Sequence, residues 1–471
     1  MKASSKKTPS STTAVRSKAV PPPMTTTDRS ASGKKLRDAV PRDAHAAWQA
    51  QKGRTDPIAI LRATDRTRQP ELVPLRYGRM LQSPFTFYRG SAAVMAADLA
   101  HTPATSIRVQ ACGDCHLLNF GGFATPERRI IFDINDLDET LPAPWEWDVK
   151  RLVASFVLAA RSNGFSDKVG RDSAITAAQS YRQQMRAFAK MDVLDIWYAR
   201  FDDSDFLAMQ PEDYKAATKK RIAKATESGS HELVYPKLVE ETGKQPRIHD
   251  SPPTIFHEER SKAAGYRDML RAVLANYRET LSEDRRILFD RYRVVDAAIK
   301  VVGIGSVGTL CGVILMMSIA DRPFFLQVKE ANASVLEAYA GKSAYPHHGQ
   351  RVVMGQRLMQ PASDMFLGWV TGPEGRQVYL RQLRDVKLNP LVETFDPEML
   401  TIYAKACGWV LARAHAKAGD PWAISGYLGK QDDFDEAMGK FALAYADQAE
   451  KDHAALKAAV RAGVVEVQLE R

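Results

Sequence analysis

Cysteine is scarce: four residues (Cys112, Cys115, Cys311, Cys407) in a chain of 471. So few exclude a disulfide-stapled secreted scaffold and make a reducing cytoplasm the expected location. No export leader is expected either, because the first 35 residues are basic, rich in Ser, Thr and Pro, and without the apolar core that a secretory signal needs. There is no internal repeat. Long uncharged runs are confined to Val301–Ala320. That run is long enough to span a bilayer and contains Gly308-x-x-x-Gly312, a helix-dimer spacing. Its four glycines and many β-branched residues instead suit two short buried strands joined by a tight turn, so no membrane span is expected. With 45% hydrophobic and 26% charged residues, the chain is neither collagen-like, wholly disordered nor polytopic, and its length suits roughly three units.

What stands out is charge. Lys and Arg number 66 against 56 acids, a formal net charge of +10, which invites a nucleic-acid or anionic-membrane partner. Residues 1–45 hold ten of the bases and only three acids, so +7 of the +10 sits there. Their polarity predicts a disordered tail over 1–45. No specific nucleic-acid partner is expected, only weak tail-mediated contact with anionic partners.

Residues 46–290 read as mainly helical, with short strands at SIRVQACGD and RRIIFDIND and a buried helix marked by Val149, Leu152, Val153, Phe156, Val157 and Ala160. Residues 291–390 read as an antiparallel lobe, with strands in AIKVVGIG, TLCGVILMMS, PFFLQVKEA and QVYLRQL. Residues 391–471 return to helix. The class is α+β.

Two constellations carry chemistry. Gly303-Ile-Gly305-Ser-Val-Gly308 is followed by a strand rather than the helix a dinucleotide site needs. A glycine loop between antiparallel strands resembles the phosphate-covering loop of kinase-like folds, and Lys329 on the next strand stands where a kinase places its phosphate-binding lysine. The alternative is a turn and an ordinary strand-end lysine. The second constellation is Gly113-Asp114-Cys115-His116-Leu117-Leu118-Asn119, in which an Asp and an Asn have the spacing of a catalytic base and a magnesium ligand. Asp133, at the end of an apolar strand, is the expected second metal ligand. A solvated acidic turn is the alternative for Asp133, Asp136, Asp138 and Glu139.

These motifs resemble the aminoglycoside-phosphotransferase branch of the kinase-like superfamily, whose loop runs G-D-x-H-x-x-N. That resemblance makes Asp148, in Trp147-Asp148-Val149, a structural brace. The order is inverted, because Asp114 precedes Lys329, and the helix Gly408–His415, of the kind that normally runs into the catalytic loop, lies near the C-terminus. A circularly permuted kinase-like fold, with a small sheet lobe inserted between helical segments, explains both facts. Residues from about 60 to 465 also resemble a bacterial family, domain of unknown function 2252, through RYGRMLQSPFTFYRG, CGDCHLLNFG, KVVGIGSVGT, FLQVKEA and RQLRDVK. That family lends no substrate.

The reading that follows is a Mg-ATP-dependent phosphotransferase with an unknown acceptor. Asp114 is its base, Asn119 and Asp133 its metal ligands, and Gly303, Gly305, Gly308 and Lys329 its phosphate site. Glu337, or Glu330, is the partner of Lys329. A non-catalytic nucleotide-binding regulator and nucleotidyl transfer are the alternatives. Cys112-x-x-Cys115-His116 also fits haem attachment, a redox pair or half a zinc site, each without its usual context. Arg76, Arg79 and Arg89 are either surface charge or a clamp for an anionic substrate.

Overall fold

Helix Trp145–Ser162 is buried from Trp145 to Ala160, its charged Glu146, Asp148, Lys150 and Arg151 in the first two turns and an almost wholly apolar stretch after them. A helix of that kind belongs inside a large body. Helices Asp167–Phe188, Pro397–Ala418 and Asp433–Arg461 pack around it in the computed structural model, which describes residues 24–228, 231–240, 246–258, 265–301, 303–383 and 386–469.

Four short strands precede this helix: β1 (Arg108–Ala111), β2 (Phe120–Ala124), β3 (Ile130–Ile134) and β4 (Leu141–Pro144). β1 pairs with β4 and β2 with β3, all antiparallel. Because Phe120 faces Ile134 across the second ladder, the loop entering β2 and the loop leaving β3 lie side by side. The Asn135 amide donates to the Asn119 carbonyl at 2.7 Å.

A small ladder joins β5 (Val239–Glu240) to β6 (Arg247–Ile248). The larger sheet comprises β7 (Ile255–Phe256), β8 (Tyr292–Lys300), β9 (Cys311–Ser318), β10 (Pro323–Glu330), β11 (Gly368–Thr371) and β12 (Gln377–Gln382). Its order is β11-β12-β10-β9-β8-β7, antiparallel throughout. Leu274 and Tyr277 of helix Tyr266–Arg278 cover one part of it, and Val352 and Val353 of helix His348–Met359 another. β13 (Lys387–Leu388) leaves this lobe and joins β2 of the helical body, tying the two together. The architecture is α+β. The uncharged run 301–320 becomes a glycine loop and strand β9, and no helix among the described residues is long and apolar enough to cross a membrane.

The N-terminal expectation needs correction. Residues 1–23 lie outside the described residues, but Thr26–Ala39 is a helix with a capping box at Thr25 and Asp28. It docks on helix Pro421–Leu428, with Gly33 so close that a Cβ would stand 1.9 Å from the Ala423 carbonyl oxygen. Arg37 donates to the carbonyls of Gly426 and Tyr427, Arg42 to that of Leu428, and Arg29 pairs with Asp420 at 2.6 Å. The segment is poor in large apolar residues because its arginines do the docking, satisfying the carbonyls that end helix Pro421–Leu428. Charge in this part of the supposed tail is therefore already engaged.

Candidate functional site

The loop between β1 and β2 is built from its backbone outward. Asp148, in the first turn of helix Trp145–Ser162, accepts from the amides of Cys112 (2.6 Å) and Gly113 (2.9 Å) and faces His415 Nε2 at 3.1 Å. This is the bracing role expected of it. Gly113 has φ +85°, and a Cβ there would lie 2.4 Å from the Glu139 carbonyl oxygen, so the turn requires glycine. Asp114 is thereby directed into a cleft. Its Oδ1 accepts from Arg151 Nε at 2.6 Å, and Arg151 is fixed in turn over the Tyr88 ring. Asn119 Nδ2 donates to the Asp114 carbonyl at 2.6 Å.

Across the cleft, the glycine loop joins β8 to β9, and Lys329 projects from β10. Lys329 is buried and contacts Asp138 at 2.5 Å and Asp136 at 3.4 Å. The acidic turn is held from the sheet side. Tyr379 donates to Asp138, Arg381 to the Asn135 carbonyl, and Arg351 to the carbonyls of Asp138 and Thr140. Burial opposes ionisation of Asp136, but the charges of Lys329 and Arg381 outweigh it and hold its carboxyl below the usual range. Asp138 moves the other way, through burial and the neighbouring Asp136 charge. Burial also opposes the charge on Lys329, and the two aspartates more than reverse that. The acidic turn is thus an ion-paired wall of the cleft whose Asp136 and Asp138 side chains stay partly exposed.

The cleft between body and sheet has a volume of about 1450 Å³. Asp114, Asn119, Gly303, Gly305 and Lys329 all line it, as do Asp136 and Asp138. Arg76, Arg79 and Arg89 line it too, rather than lying on the open surface.

Three expected residues stand elsewhere. Asp133 lies inside the β2–β3 ladder opposite Gly121, is 1% exposed, and pairs at 2.5 Å with the fully buried Arg413. It points into the core, so the metal-ligand expectation for it fails on position. Glu337 is carried off by residues 331–336, whose Ser334 and Val335 bond to Glu139. Its nearest cation is Lys342 at 3.4 Å, not Lys329. Gly308 (φ +87°) does not line the cleft; it is buried against the Arg68 side chain, and its carbonyl accepts from the Gln69 amide at 2.7 Å. Glu330 accepts from the Leu310 amide and pairs with Arg376. Cys112 and Cys115 are free and fully buried, with both thiols shifted upward; for Cys115 burial is the main cause. That environment disfavours the thiolate which redox or metal chemistry needs.

The model of the family described as "Uncharacterized protein conserved in bacteria (DUF2252)" matches residues 68–459. The chain belongs to this family. No curated protein and no solved structure matches it. The family match takes in every cleft residue named above and leaves helix Thr26–Ala39 outside. Asp136, Asp138, Arg151 and Arg381 went unassigned from sequence. For the aspartates a signal existed: a carboxylate that is to face the cleft belongs just past the end of β3, where the chain leaves the ladder, and Asp136 stands there while Asp133 does not. Arg151 and Arg381 carried no local mark.

Proposed function

We propose that the protein is a Mg-ATP-dependent phosphotransferase with a permuted kinase-like arrangement. The carrying observation is that Asp114, Asn119, Gly303, Gly305 and Lys329, drawn from distant parts of the chain, line one cleft. The permutation is supported where helix Pro397–Ala418 ends. A Cβ on Gly419 would lie 2.5 Å from Val109 Cγ1 of β1, so the helix abuts the strand that leads into the Asp114 loop. The order β8, glycine loop, β9, then lysine on β10 also matches the kinase pattern.

The donor set fits magnesium. Among the described residues no three His, Cys, Asp or Glu side chains gather as a ready metal site. Magnesium, however, typically takes one or two carboxylates and completes its shell with water and phosphate. Asp136, replacing Asp133, and Asn119 would hold it. When bound, Mg-ATP supplies the transferable phosphoryl group and a metal that neutralises its charge. Lys329 would exchange its aspartates for phosphate oxygens, and the glycine loop would offer backbone amides. Asp114, with Oδ1 held by Arg151, would orient the acceptor hydroxyl and take its proton on Oδ2.

The occupied Oδ1 also favours a second reading, a nucleotide-binding regulator without turnover. Calorimetry with a non-hydrolysable ATP analogue and basal hydrolysis of γ-labelled ATP separate the two. Lys329→Met should weaken the analogue at least about tenfold. Asp114→Asn should keep analogue affinity and lower hydrolysis by about 10²-fold or more. Unchanged hydrolysis in Asp114→Asn refutes the catalytic reading, and wild-type binding without any turnover establishes the regulator.

A further inference from the structure

We infer that the acceptor is a small anion, a molecule bearing a phosphate or carboxylate beside its reactive hydroxyl, held by Arg89 and Arg68 between the glycine loop and Asp114. This deepens the phosphotransferase reading and rests on it.

The basic wall of the cleft comes from helices Val73–Leu81 and Pro84–Gly90 and the turn before them. Its charges are unevenly compensated. Asp65 pairs with Arg76 at 2.6 Å, and Asp114 is taken by Arg151. No hydrogen bond or ion pair among the described residues engages the Arg89 guanidinium, and its Nε is buried. Burial dominates and opposes the Arg89 charge, which Asp114 and Glu393, both lining the cleft, favour from a distance without a bond to it. Arg68 uses one guanidinium nitrogen on the Val307 carbonyl at 2.5 Å, and its buried Nε makes no hydrogen bond but is ion-paired with Asp65 at 3.9 Å. Arg68, Arg76 and Arg89 each have a buried Nε without a hydrogen bond, but Arg68 and Arg76 share Asp65, so the charge left for an anion on this wall is centred on Arg89 with Arg68 beside it. A carboxylate or phosphate satisfies a guanidinium fork with two charge-assisted bonds.

The same wall limits size. Arg79 donates to the Gly303 carbonyl at 2.5 Å, Arg68 to Val307, and the Gln69 amide to Gly308. Both ends of the glycine loop are therefore fastened to the helical segment, which closes this side of the cleft to an extended polypeptide. The volume of about 1450 Å³ exceeds the roughly 300–1,000 Å³ of a single-ligand pocket, leaving room for a nucleotide and a small second reactant.

The test is calorimetric titration of inorganic phosphate, and separately malonate, into full-length protein saturated with a non-hydrolysable ATP analogue. At least one of the two should bind. Arg89→Met should weaken it about tenfold or more while moving analogue affinity less than about threefold. Lys329→Met should show the reverse. Analogue binding by the Arg89→Met protein certifies its fold, and Arg89→Gln serves if the methionine variant does not fold. Failure of both anions to bind overturns the inference. So does an Arg89→Met protein that loses the analogue as strongly as the anion, since the arginine would then serve the nucleotide. If the analogue does not bind but anion binding still depends on Arg89, the nucleotide reading falls and the anion site stands.

Discussion

Replacing Asp133 by Asn tests whether this aspartate is structural. Asp133 and Arg413 are 1% and 0% exposed, and burial pushes both toward neutrality against their mutual attraction. Such a pair adds little over an apolar one, but breaking it strands a charge at a cost of about 3–5 kcal/mol. The two single variants should differ. Arginine cannot shed its proton, whereas a stranded carboxylate can take one up. Asp133→Asn should therefore fall near the upper end of that range and Arg413→Met near the lower, the latter easing as pH falls. At about 2.1 cal/mol/K per residue over 471 residues, Tm falls by roughly 1 °C per kcal/mol, so guanidinium midpoints are the more sensitive assay. The Asp133→Asn, Arg413→Met double variant should recover more than half of the loss. Magnesium-dependent binding of the ATP analogue should survive in folded Asp133→Asn and be lost in Asp136→Asn. An Asp133→Asn protein of normal stability that no longer binds the analogue with magnesium would refute the reasoning.

Stability should also fall in mild acid. Burial lowers His45 to about 3 and His116 to about 4, so between pH 6.5 and 4 the unfolded chain takes up protons that the folded chain refuses. The contribution is whole above pH 6.5 and shrinks by about 1.4 kcal/mol per pH unit per histidine below it. Urea midpoints at pH 7 and pH 5 measure this, and His116→Asn should flatten the slope; equal midpoints would count against the burial. Gly33→Ala drives a methyl group into the Ala423 carbonyl and should lift helix Thr26–Ala39 at a cost of about 1–3 kcal/mol. Trypsin should then cut faster at Lys34 and Lys35, and wild-type resistance would show that the docking is looser than described.

Local pattern was enough for much of this protein. Apolar periodicity located the core helix at Val149–Ala160 and the strands that became β9, β10 and β12, because period and burial are written in adjacent residues. The run AIKVVGIG, by contrast, caught only the last three residues of β8 and otherwise became the glycine loop. The Asp114-to-Asn119 spacing marked its loop for the same reason that period marks a helix, while Asp148 as a brace came from the resemblance to phosphotransferase motifs and not from local pattern. Which aspartate faces the cleft was a different matter. All five residues of β3 are buried, so in–out alternation carries no sign there, and the partner that draws Asp133 inward is Arg413. Nor does a window around Glu337 reveal that Lys329 is claimed by Asp136 and Asp138, or a window around Arg37 that helix Pro421–Leu428 has carbonyls to satisfy. Ion pairs of this kind depend on burial and on geometry between remote segments, and the energy of a charge is set by surroundings that exist only once the chain has folded.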